Sequence, residues 1–329
     1  MVKVSPVEQL FTAFDETATL LEEELSCTYL EALAEAGEDF FHYTVLQDEV
    51  SEVTKKRIQK KIEEVNVDRF SSEQIRKAFQ LCILKGMKKH TQPHHQMTPD
   101  SIGLIVSYLI GKFMNTSLSF SLLDPAIGTG NLVYTILNGM PEKQIQTYGV
   151  DVDDVLLKLA YTNANLQKHS IQLYNQDSIA PLLVPKVDAV VCDLPVGYYP
   201  DDIRAQEYRL KAKEGHSYAH HLLLEQSINY TKDGGYLFFV IPNHLFESDQ
   251  SKQLHEYIKE VANIQAVLQL PLSMFKSEKL AKSIFILQKK KDGVKPPKQV
   301  LLAQLPKLSD GQAMERFLWK VDNWFEENN

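Results

Sequence analysis

Residues able to bind a cofactor are concentrated in the stretch LLDPAIGTGNL, from Leu122 to Leu132. A predicted strand ends there on Asp124, a turn with Gly128 and Gly130 follows, and a predicted helix begins directly afterwards. Strand, glycine turn and helix are typical of the first crossover of a doubly wound sheet, where nucleotides and related cofactors bind. Glycine suits such a turn because a Cβ would keep the backbone away from the ligand and would disfavour positive φ.

The loop fits S-adenosylmethionine better than a dinucleotide. A dinucleotide fingerprint has a third glycine for close packing of helix on strand, whereas Val133 and Tyr134 stand where it would fall. Asp124, just before the loop, suits a cofactor with a cationic amino acid end, and S-adenosylmethionine has one. The alternative for this loop, taken alone, is an ordinary turn between strand and helix that contains two glycines.

Polar residues follow the next three predicted strands as well. Asp151 stands about 20 residues beyond Gly130, the spacing at which a carboxylate accepts hydrogen bonds from ribose hydroxyls. Asp177 and Ser178 follow the third strand, where they can meet the adenine edge, and the fourth ends in DLPVGYY, residues 193–199. A polar residue after a single strand is weak evidence for a ligand site. Four in register are a stronger signal, because ligands of open α/β sheets bind at the carboxyl ends of strands.

Length and composition are those of a globular protein with one large domain or two. The chain has 329 residues, of which 44% are hydrophobic and 24% are charged. No apolar run approaches the ~20 residues of a membrane span, and the N-terminus lacks a signal-peptide core. Cys27, Cys82 and Cys192 have no metal-binding spacing. We therefore expect reduced thiols, no membrane association and a cytoplasmic location.

Charge and histidine content limit the partners. A net charge of −8 argues against tight, unaided binding of duplex DNA, which requires a basic surface. Short basic clusters near residues 55–61, 85–89 and 289–291 are better explained as solvated helix faces and a strand end than as a binding surface. The adjacent His94 and His95 would diverge on a helix, and Pro93 separates His90 from His94. A zinc site is therefore not expected, since it needs three or four converging ligands.

The pattern of elements changes near residue 90. Residues 1–90 are helical in periodicity and carry no catalytic spacing, which indicates a small helical domain that packs on the rest or faces a partner. From the glycine turn onward, helix and strand alternate, which predicts a mostly parallel sheet. The chain between the predicted strands at 264–270 and 283–288 is too short for a parallel crossover helix, so one of them is antiparallel. Residues 300–305 can add an edge strand.

The run from Gln96 to Lys291 resembles the class I S-adenosylmethionine-dependent methyltransferases, and among them the N6-adenine DNA methyltransferases. It is most similar to the modification subunit of type I restriction systems or to a smaller, stand-alone bacterial relative. The similarity rests on HQMTPDSIGLIV (the Thr-Pro segment), LLDPAIGTGNL (the cofactor motif), YGVDVDD (the ribose motif), and GGYLFFVIPNHLF with LQLPLSMFKSEKLAKSIFILQKKK (the late strands and hairpin). It implies an α/β fold in residues 91–329, a Rossmann-like seven-stranded mostly parallel sheet with one antiparallel strand, plus an N-terminal helical domain in residues 1–90.

The resemblance also implies a cofactor and a set of site residues. The cofactor is S-adenosylmethionine, and the positions matching the family's binding motifs are Thr98, Asp124, Pro125, Ala126, Gly128, Gly130, Asn131, Asp151, Val152, Asp177, Ser178 and Asp193. The positions matching its catalytic segment are Asp193, Leu194 and Pro195, to which Tyr198 and Tyr199 are added as candidates.

The catalytic segment departs from the family pattern at one position. That pattern is Asn or Asp, Pro, Pro, an aromatic residue and often Gly, and here it is Asp193, Leu194, Pro195, Val196, Gly197. Leu194 is compatible, because this position contributes its backbone carbonyl. Val196 replaces the ring that stacks on a flipped base, a contact worth ~1–3 kcal/mol. Either Tyr198 or Tyr199 takes over that role, or both pack beneath the loop.

The functional hypothesis is methyl transfer from S-adenosylmethionine to the N6 amine of adenine in DNA. The alternatives are methylation of RNA or of a protein side-chain amide, and a cofactor-binding protein without turnover that acts through its helical domain. The missing aromatic residue and the acidic charge favour the alternatives, whereas Asp193 and Pro195 favour adenine. No segment is large enough for a separate target-recognition domain, so we expect a partner protein to supply specificity.

Overall fold

The computed structural model describes residues 4–89, 97–248 and 250–328. The α-helices in these ranges are α1 (Pro6–Leu25), α2 (Tyr29–His42), α3 (Glu52–Glu64), α4 (Ser72–Lys89), α5 (Asp100–Phe113), α6 (Asn131–Gly139), α7 (Asp154–Gln167), α8 (Asp202–Ala205), α9 (Ala219–Asn229), α10 (Ser251–Val261) and α11 (Gly311–Asn328). The strands are β1 (Ser119–Asp124), β2 (Gln144–Asp151), β3 (Ile171–Asn175), β4 (Val187–Asp193), β5 (Thr231–Pro242), β6 (Ala262–Gln269), β7 (Lys282–Lys289) and β8 (Leu301–Gln304).

Within the described part of the chain, the eight strands form one sheet in the order β3-β2-β1-β4-β5-β7-β6-β8. The pairs β2–β3, β1–β4, β4–β5 and β6–β8 are parallel, and β7 runs antiparallel to both β5 and β6. The Rossmann-like, mostly parallel sheet with one antiparallel strand is confirmed. The predicted strand number of seven is too small by one, because the short strand β8 pairs with β6. A strand of four residues gives only a weak periodic signal.

One compact unit consists of the described residues within Met1–Ser107 and Ile127–Asn175. Its core includes Phe14, whose ring meets those of Phe40 and Phe79 edge-on, at centroid distances of 5.0 and 5.6 Å. Helix α2 packs directly on α7, where a Cβ at Gly37 would lie 2.2 Å from Thr162 Cγ2. The N-terminal helices therefore share a core with α7, and the proposed domain boundary near residue 90 stays a prediction.

Side-chain caps define where the N-terminal helices begin. The Thr28 hydroxyl accepts a hydrogen bond from the Glu31 N–H, and the Glu31 carboxylate accepts one from the Thr28 N–H, which forms a capping box at α2. The Ser5 hydroxyl accepts from the backbone at the start of α1, and the Ser51 hydroxyl does so at the start of α3. These caps satisfy N–H groups that have no partner inside the helix.

The second compact unit consists of the described residues within Tyr108–Ala126 and Gln176–Asn329. Strands β4, β5, β7 and β6 form its centre, and their inward side chains are buried. The Asp188 carboxylate, near the start of β4, accepts from the Ser121 N–H at 2.8 Å and from Lys232 Nζ at 2.8 Å. Charge-assisted bonds of this kind fix the relative register of β1 and β4.

None of the helices in residues 4–89, 97–248 and 250–328 combines the length and apolar character that crossing a membrane requires.

Candidate active site

The turn that follows β1 depends on left-handed glycines. Gly128 has φ 53° and Gly130 has φ 79°, a region that disfavours residues with a Cβ. A Cβ at Gly130 would lie 2.2 Å from the Tyr134 ring, while a Cβ at Gly128 would meet no described atom within 4 Å. The Tyr134 hydroxyl donates to the Ala160 carbonyl at 2.6 Å. A buried ring thus connects α6 to α7 at the place where a dinucleotide fingerprint has its third glycine.

Asp151, at the end of β2, is held by backbone amides. Its Oδ2 accepts from the Gly128 N–H at 2.7 Å and its Oδ1 accepts from the Asp153 N–H at 3.0 Å. Burial raises the pKa of Asp151, and these amide donors offset the effect only in part. Each carboxylate oxygen can accept a second hydrogen bond, so the group can receive both hydroxyls of a ribose. The next residue, Val152, is exposed.

A buried ion cluster supports the first residue of α6. The Arg76 guanidinium, 0% exposed, pairs with both carboxylate oxygens of Glu73 and with both of Asp100. It also donates to Asn131 Oδ1 at 2.7 Å, and Asn131 Nδ2 donates to the Thr98 carbonyl at 2.9 Å. Helix α4 of the N-terminal segment therefore holds two residues of the cofactor motifs, Thr98 and Asn131, through one guanidinium.

The pKa of Asp100 shows how the charges of this cluster compensate one another. Burial by itself would raise the pKa of that carboxyl, but the hydrogen bonds and charge of Arg76 dominate and lower it to about 2. No sequence motif marks Arg76. The sequence does place Arg76 at helical spacing from Phe79 and Ile83, which are buried. A charged residue on such an apolar face is unexpected unless it has a partner.

The residues just before the glycine turn are also held by local bonds. Asp124, 2% exposed at the end of β1, accepts from the Ala126 N–H at 3.0 Å. The Pro125 carbonyl accepts from the Ser178 hydroxyl, which joins the turn to the segment after β3. Asp124, Pro125, Ala126 and Ser178 therefore form one group connected by local hydrogen bonds, and their role in cofactor binding stays a prediction.

Tyr199 stabilises the loop after β4 through hydrogen bonds from its hydroxyl and from its backbone. Its hydroxyl donates to Asp177, its N–H donates to the Ser217 carbonyl at 2.8 Å, and its side chain is buried. Burial, followed by the hydrogen bond to Asp177, raises the pKa of Tyr199, so the hydroxyl stays a donor. Of the two tyrosines suggested for stacking on a base, Tyr199 has its ring packed within the protein. The structure therefore favours Tyr198 for that role.

Tyr198 differs from Tyr199 in its exposure. Its ring lies parallel to that of Tyr218, with centroids 5.0 Å apart and planes inclined by 15°, yet the residue is 62% exposed. The backbone beside it is fixed, because the Gly197 carbonyl accepts from the Ala219 N–H at 2.9 Å. Gly197 has φ 153°, which only glycine adopts readily. Val196 is half-exposed in the same loop.

Asp193 ends β4 and begins the catalytic segment. The Leu194 N–H donates to the Val240 carbonyl at 3.0 Å, and the Leu194 side chain is buried, so the backbone before Pro195 continues the strand. Asp193 Oδ1 accepts from Lys282 Nζ at 2.6 Å. Lys282 is the first residue of β7, and it lies within the late hairpin segment, where the sequence assigned it no role.

Potential metal ligands do not cluster in the part of the chain that the structure describes. No group of three or more His, Cys, Asp or Glu side chains among them is placed to hold a metal ion. The three histidines discussed above, His90, His94 and His95, lie outside the described residues.

Two family models match the chain. The model of the YtxK N-terminal helical domain matches residues 8–87, and that of the N-6 DNA methylase matches residues 88–320. The chain belongs to the N-6 DNA methylase family. It is thus a methyltransferase whose cofactor is S-adenosylmethionine, as the resemblance implied. The residues present fit that group, because Asp151 can accept from a ribose and the Gly128 backbone is open.

Whole-length relatives support the assignment. The uncharacterized protein YtxK of Bacillus subtilis (strain 168) is 49% identical over 321 residues, which cover 97% of this chain and 98% of that one. A Listeria monocytogenes protein assigned to the class I S-adenosylmethionine-dependent methyltransferases is 44% identical, with a TM-score of 0.91 and coverage of 97% and 99%. The type I restriction-modification methyltransferase subunit of Streptococcus thermophilus shares the fold, with 17% identity, a TM-score of 0.67 and coverage of 96% and 74%.

Replacement of Asp151 by alanine should weaken cofactor binding. A carboxylate that accepts from ribose hydroxyls makes charged hydrogen bonds worth ~1.5–3 kcal/mol each, so affinity should fall at least roughly tenfold. Calorimetry with S-adenosylmethionine and its demethylated product measures this, with the exposed Asp154→Ala as the matched control. Equal affinity of Asp151→Ala and wild type would place the ribose elsewhere, and tight binding of a nicotinamide dinucleotide would contradict the cofactor.

Replacement of Arg76 by methionine should destabilise the protein by about 3 kcal/mol, because two carboxylates lose their buried partner. Lys77→Met is the control, since Lys77 pairs with the same Glu73 at 3.3 Å on the exposed side of α4 and should cost less than about 1 kcal/mol. The stabilisation due to Asp100 is present above its unfolded pKa of about 3.9 and is lost as pH falls toward 2. Denaturant unfolding from pH 7 to pH 3 measures both effects, and equal stability of the two variants would contradict the assignment.

Proposed function

We propose that this methyltransferase transfers a methyl group to the exocyclic N6 amine of adenine in DNA. The observation that carries the proposal is the end of β4, where the Asp193 carboxylate is followed by the fixed backbone of Leu194 and by Pro195. A carboxylate and a carbonyl in succession are two acceptors for the two hydrogens of one amine. The match of residues 88–320 to the N-6 DNA methylase family supports the same substrate.

Asp193 and Leu194 would activate the amine by orienting it. An amine conjugated to adenine is a poor nucleophile, because its lone pair is delocalised into the ring. Hydrogen bonds from its two N–H groups to the Asp193 carboxylate and the Leu194 carbonyl would turn that lone pair toward the methyl donor. The lone pair would form the new carbon–nitrogen bond, the electron pair of the carbon–sulfur bond would stay on sulfur, and the amine proton would pass to water. Positioning and electrostatics then account for most of the rate.

The cofactor would be held by residues at or just after the ends of three strands, β1, β2 and β3. Asp151 would accept from the ribose, Asp177 and Ser178 would meet the adenine edge, and Asp124 would face the cationic amino acid end. The remaining motif residues, Thr98, Pro125, Ala126, Gly128, Gly130, Asn131 and Val152, would shape the cradle. When bound, S-adenosylmethionine supplies an electrophilic methyl group on a sulfonium.

The target base would have to leave the helix before it could meet Asp193. Base extrusion costs a few kcal/mol in a duplex and less in single-stranded or distorted DNA. Tyr198 supports this step, because one face of its ring lies on Tyr218 while the residue is mostly exposed. Tyr198 would take the place of the aromatic residue that the family pattern has at the position of Val196.

A partner would supply the basic surface that tight binding of DNA requires. Its net charge of −8 does not favour unaided binding to DNA. The Streptococcus thermophilus neighbour is a subunit of a type I restriction-modification system, which fits an enzyme that works with a partner protein. We place the activity in the cytoplasm, where DNA and S-adenosylmethionine meet and thiols stay reduced.

A second candidate is methylation of another planar amine, in RNA or in a protein side-chain amide. The observation that favours it is Val196, since an amide needs no aromatic stacking partner. Transfer of labelled methyl to DNA, RNA and cell-extract protein, measured side by side, distinguishes these substrates. Label in none of them would indicate a cofactor-binding protein without turnover.

Replacement of Asp193 by alanine should abolish methyl transfer and leave cofactor affinity within a few-fold, because its proposed contacts are with the amine. Asp193→Asn should retain activity, since the amide oxygen remains an acceptor. Asp202→Ala, which removes an exposed carboxylate of α8, is the control. Undiminished turnover in Asp193→Ala would rule out the proposed role.

Replacement of Tyr198 by alanine should weaken binding of the nucleic acid by ~1–3 kcal/mol and leave cofactor affinity unchanged. The fluorescence of 2-aminopurine at the target position reports extrusion of the base from duplex or single strand. Tyr161→Ala removes an exposed tyrosine of α7 and serves as the control. If wild type and Tyr198→Ala give the same signal on both substrates, Tyr198 is structural.

A further inference from the structure

Lys282 is held at the catalytic segment by the direction of β7. Because β7 is antiparallel to β5, its first residue pairs with Pro242 at the last position of β5. The end of β4 lies alongside, where Asp193 pairs with Val240. An antiparallel strand thus delivers a lysine to the edge where the parallel strands present their carboxyl ends.

The backbone around Lys282 is bonded on both sides. The Leu270 N–H donates to the Lys282 carbonyl at 3.1 Å, and the Asn243 N–H donates to the Ala281 carbonyl at 2.9 Å. The Ser283 hydroxyl is 2.8 Å from Asn243 Oδ1. With its backbone bonded in this way, Lys282 brings its ammonium to 2.6 Å from Asp193 Oδ1.

The pair is largely shielded from solvent, with the Lys282 side chain 21% exposed and the Asp193 side chain 16% exposed. An ammonium has three N–H donors and a carboxylate has two oxygens, so Lys282 occupies one oxygen and keeps donors for a ligand. Each carboxylate oxygen can accept more than one hydrogen bond, so Asp193 can accept from an incoming amine while Lys282 stands beside it. The two side chains together present an acceptor next to a donor.

We propose that Lys282 is a specificity-determining residue that donates a hydrogen bond to the ring nitrogen N1 of the target adenine. This inference rests on the proposed function. Adenine carries its N6 amine and the acceptor N1 on the same carbon, so a donor beside Asp193 matches that edge of the base. Enzymes that flip a base read it through such edge contacts. A guanidinium or an aliphatic amine has no acceptor there and would be rejected.

The same hydrogen bond protects the chemistry of the step. N1 is a competing nucleophile on adenine, and its lone pair would be engaged by the Lys282 ammonium. The N6 lone pair then remains for the methyl group. Lys282 thereby selects both the base and the nitrogen that is methylated.

The test compares adenine with 1-deazaadenine, in which N1 is replaced by C–H, in single-stranded oligonucleotides. In wild type, loss of N1 should lower kcat/KM by about tenfold or more beyond the loss seen in Lys282→Met. Lys282→Met should lower kcat/KM on adenine by a similar factor. The ratio of kcat/KM on adenine to kcat/KM on 1-deazaadenine is determined for each enzyme. Comparing this ratio between wild type and Lys282→Met removes the intrinsic change in amine reactivity that the ring substitution brings.

The matched control is Lys232→Met, which removes a lysine–aspartate pair of the same type from the other end of β4. It should keep the full penalty for loss of N1. Lys282→Arg retains a cationic donor and should keep part of it, which separates lost charge from misfolding. A 7-deazaadenine oligonucleotide should show no dependence on Lys282.

Equal penalties for loss of N1 in wild type and Lys282→Met would overturn the assignment to Lys282. A Lys282-dependent penalty for loss of N7 would show that the lysine meets the other side of the amine, and would overturn it as well. Absence of labelled N6-methyladenine from the wild-type reaction is a different outcome, because it contradicts the proposed function and the inference that rests on it.

Discussion

A buried carboxylate must be given hydrogen-bond donors, and the ends of the strands in this protein are shaped by that requirement. At the ends of β1 and β2 the donors are backbone amides, from Ala126 to Asp124 and from Gly128 to Asp151. An amide can point at Asp151 because Gly128 adopts positive φ, so the turn that opens the cofactor cradle also holds its carboxylate. At the end of β4 the donor is a side-chain ammonium, from Lys282 to Asp193.

In the proposed function, this difference separates cofactor binding from methyl transfer. Backbone donors are fixed once the strand and turn have folded, which suits residues that hold a cofactor in every cycle. A side-chain ammonium retains freedom in its own torsions, so it can share its donors with a ligand that arrives at the same carboxylate. The Asp193–Lys282 pair is an internal ion pair, and in its proposed role it presents an acceptor beside a donor to the edge of a planar base.

The N-terminal helices are connected to the cofactor motifs by a second buried charge. Arg76 cannot lose its proton, so its burial is tolerable only with carboxylates close at hand, and Glu73 and Asp100 provide them. The same guanidinium bonds Asn131 at the start of α6. The segment without a recognisable motif thus contributes directly to the placement of a residue that carries one.

The loop after β4, which matches the family's catalytic segment, has a valine where the family pattern has an aromatic residue. Val196 removes the aromatic residue expected after Pro195, yet two tyrosines follow, and their environments differ. Tyr199 is bonded to Asp177 within the protein, whereas Tyr198 lies on Tyr218 with its residue largely exposed. The choice between them depends on burial, which a sequence of two adjacent tyrosines does not reveal.

The sequence by itself determined the family, the cofactor and the mostly parallel sheet, because these follow from local patterns. Glycine spacing, the acidic residue after each strand and the alternation of apolar segments are all readable within a few residues. It also indicated an antiparallel strand, since the chain before β7 is too short for a crossover helix. The edge strand β8 was left open because four residues carry little periodicity.

Only the tertiary structure decided which distant residues meet these motifs. Arg76 reaches Asn131 across 55 positions of sequence, and Lys282 reaches Asp193 across 89. Neither contact can be recognised from the spacing of residues in the sequence, because each depends on how a helix or an antiparallel strand is packed beside another element. A lone arginine or lysine in a sequence is most often a solvated side chain, and only its burial and its partners show that it belongs to a site.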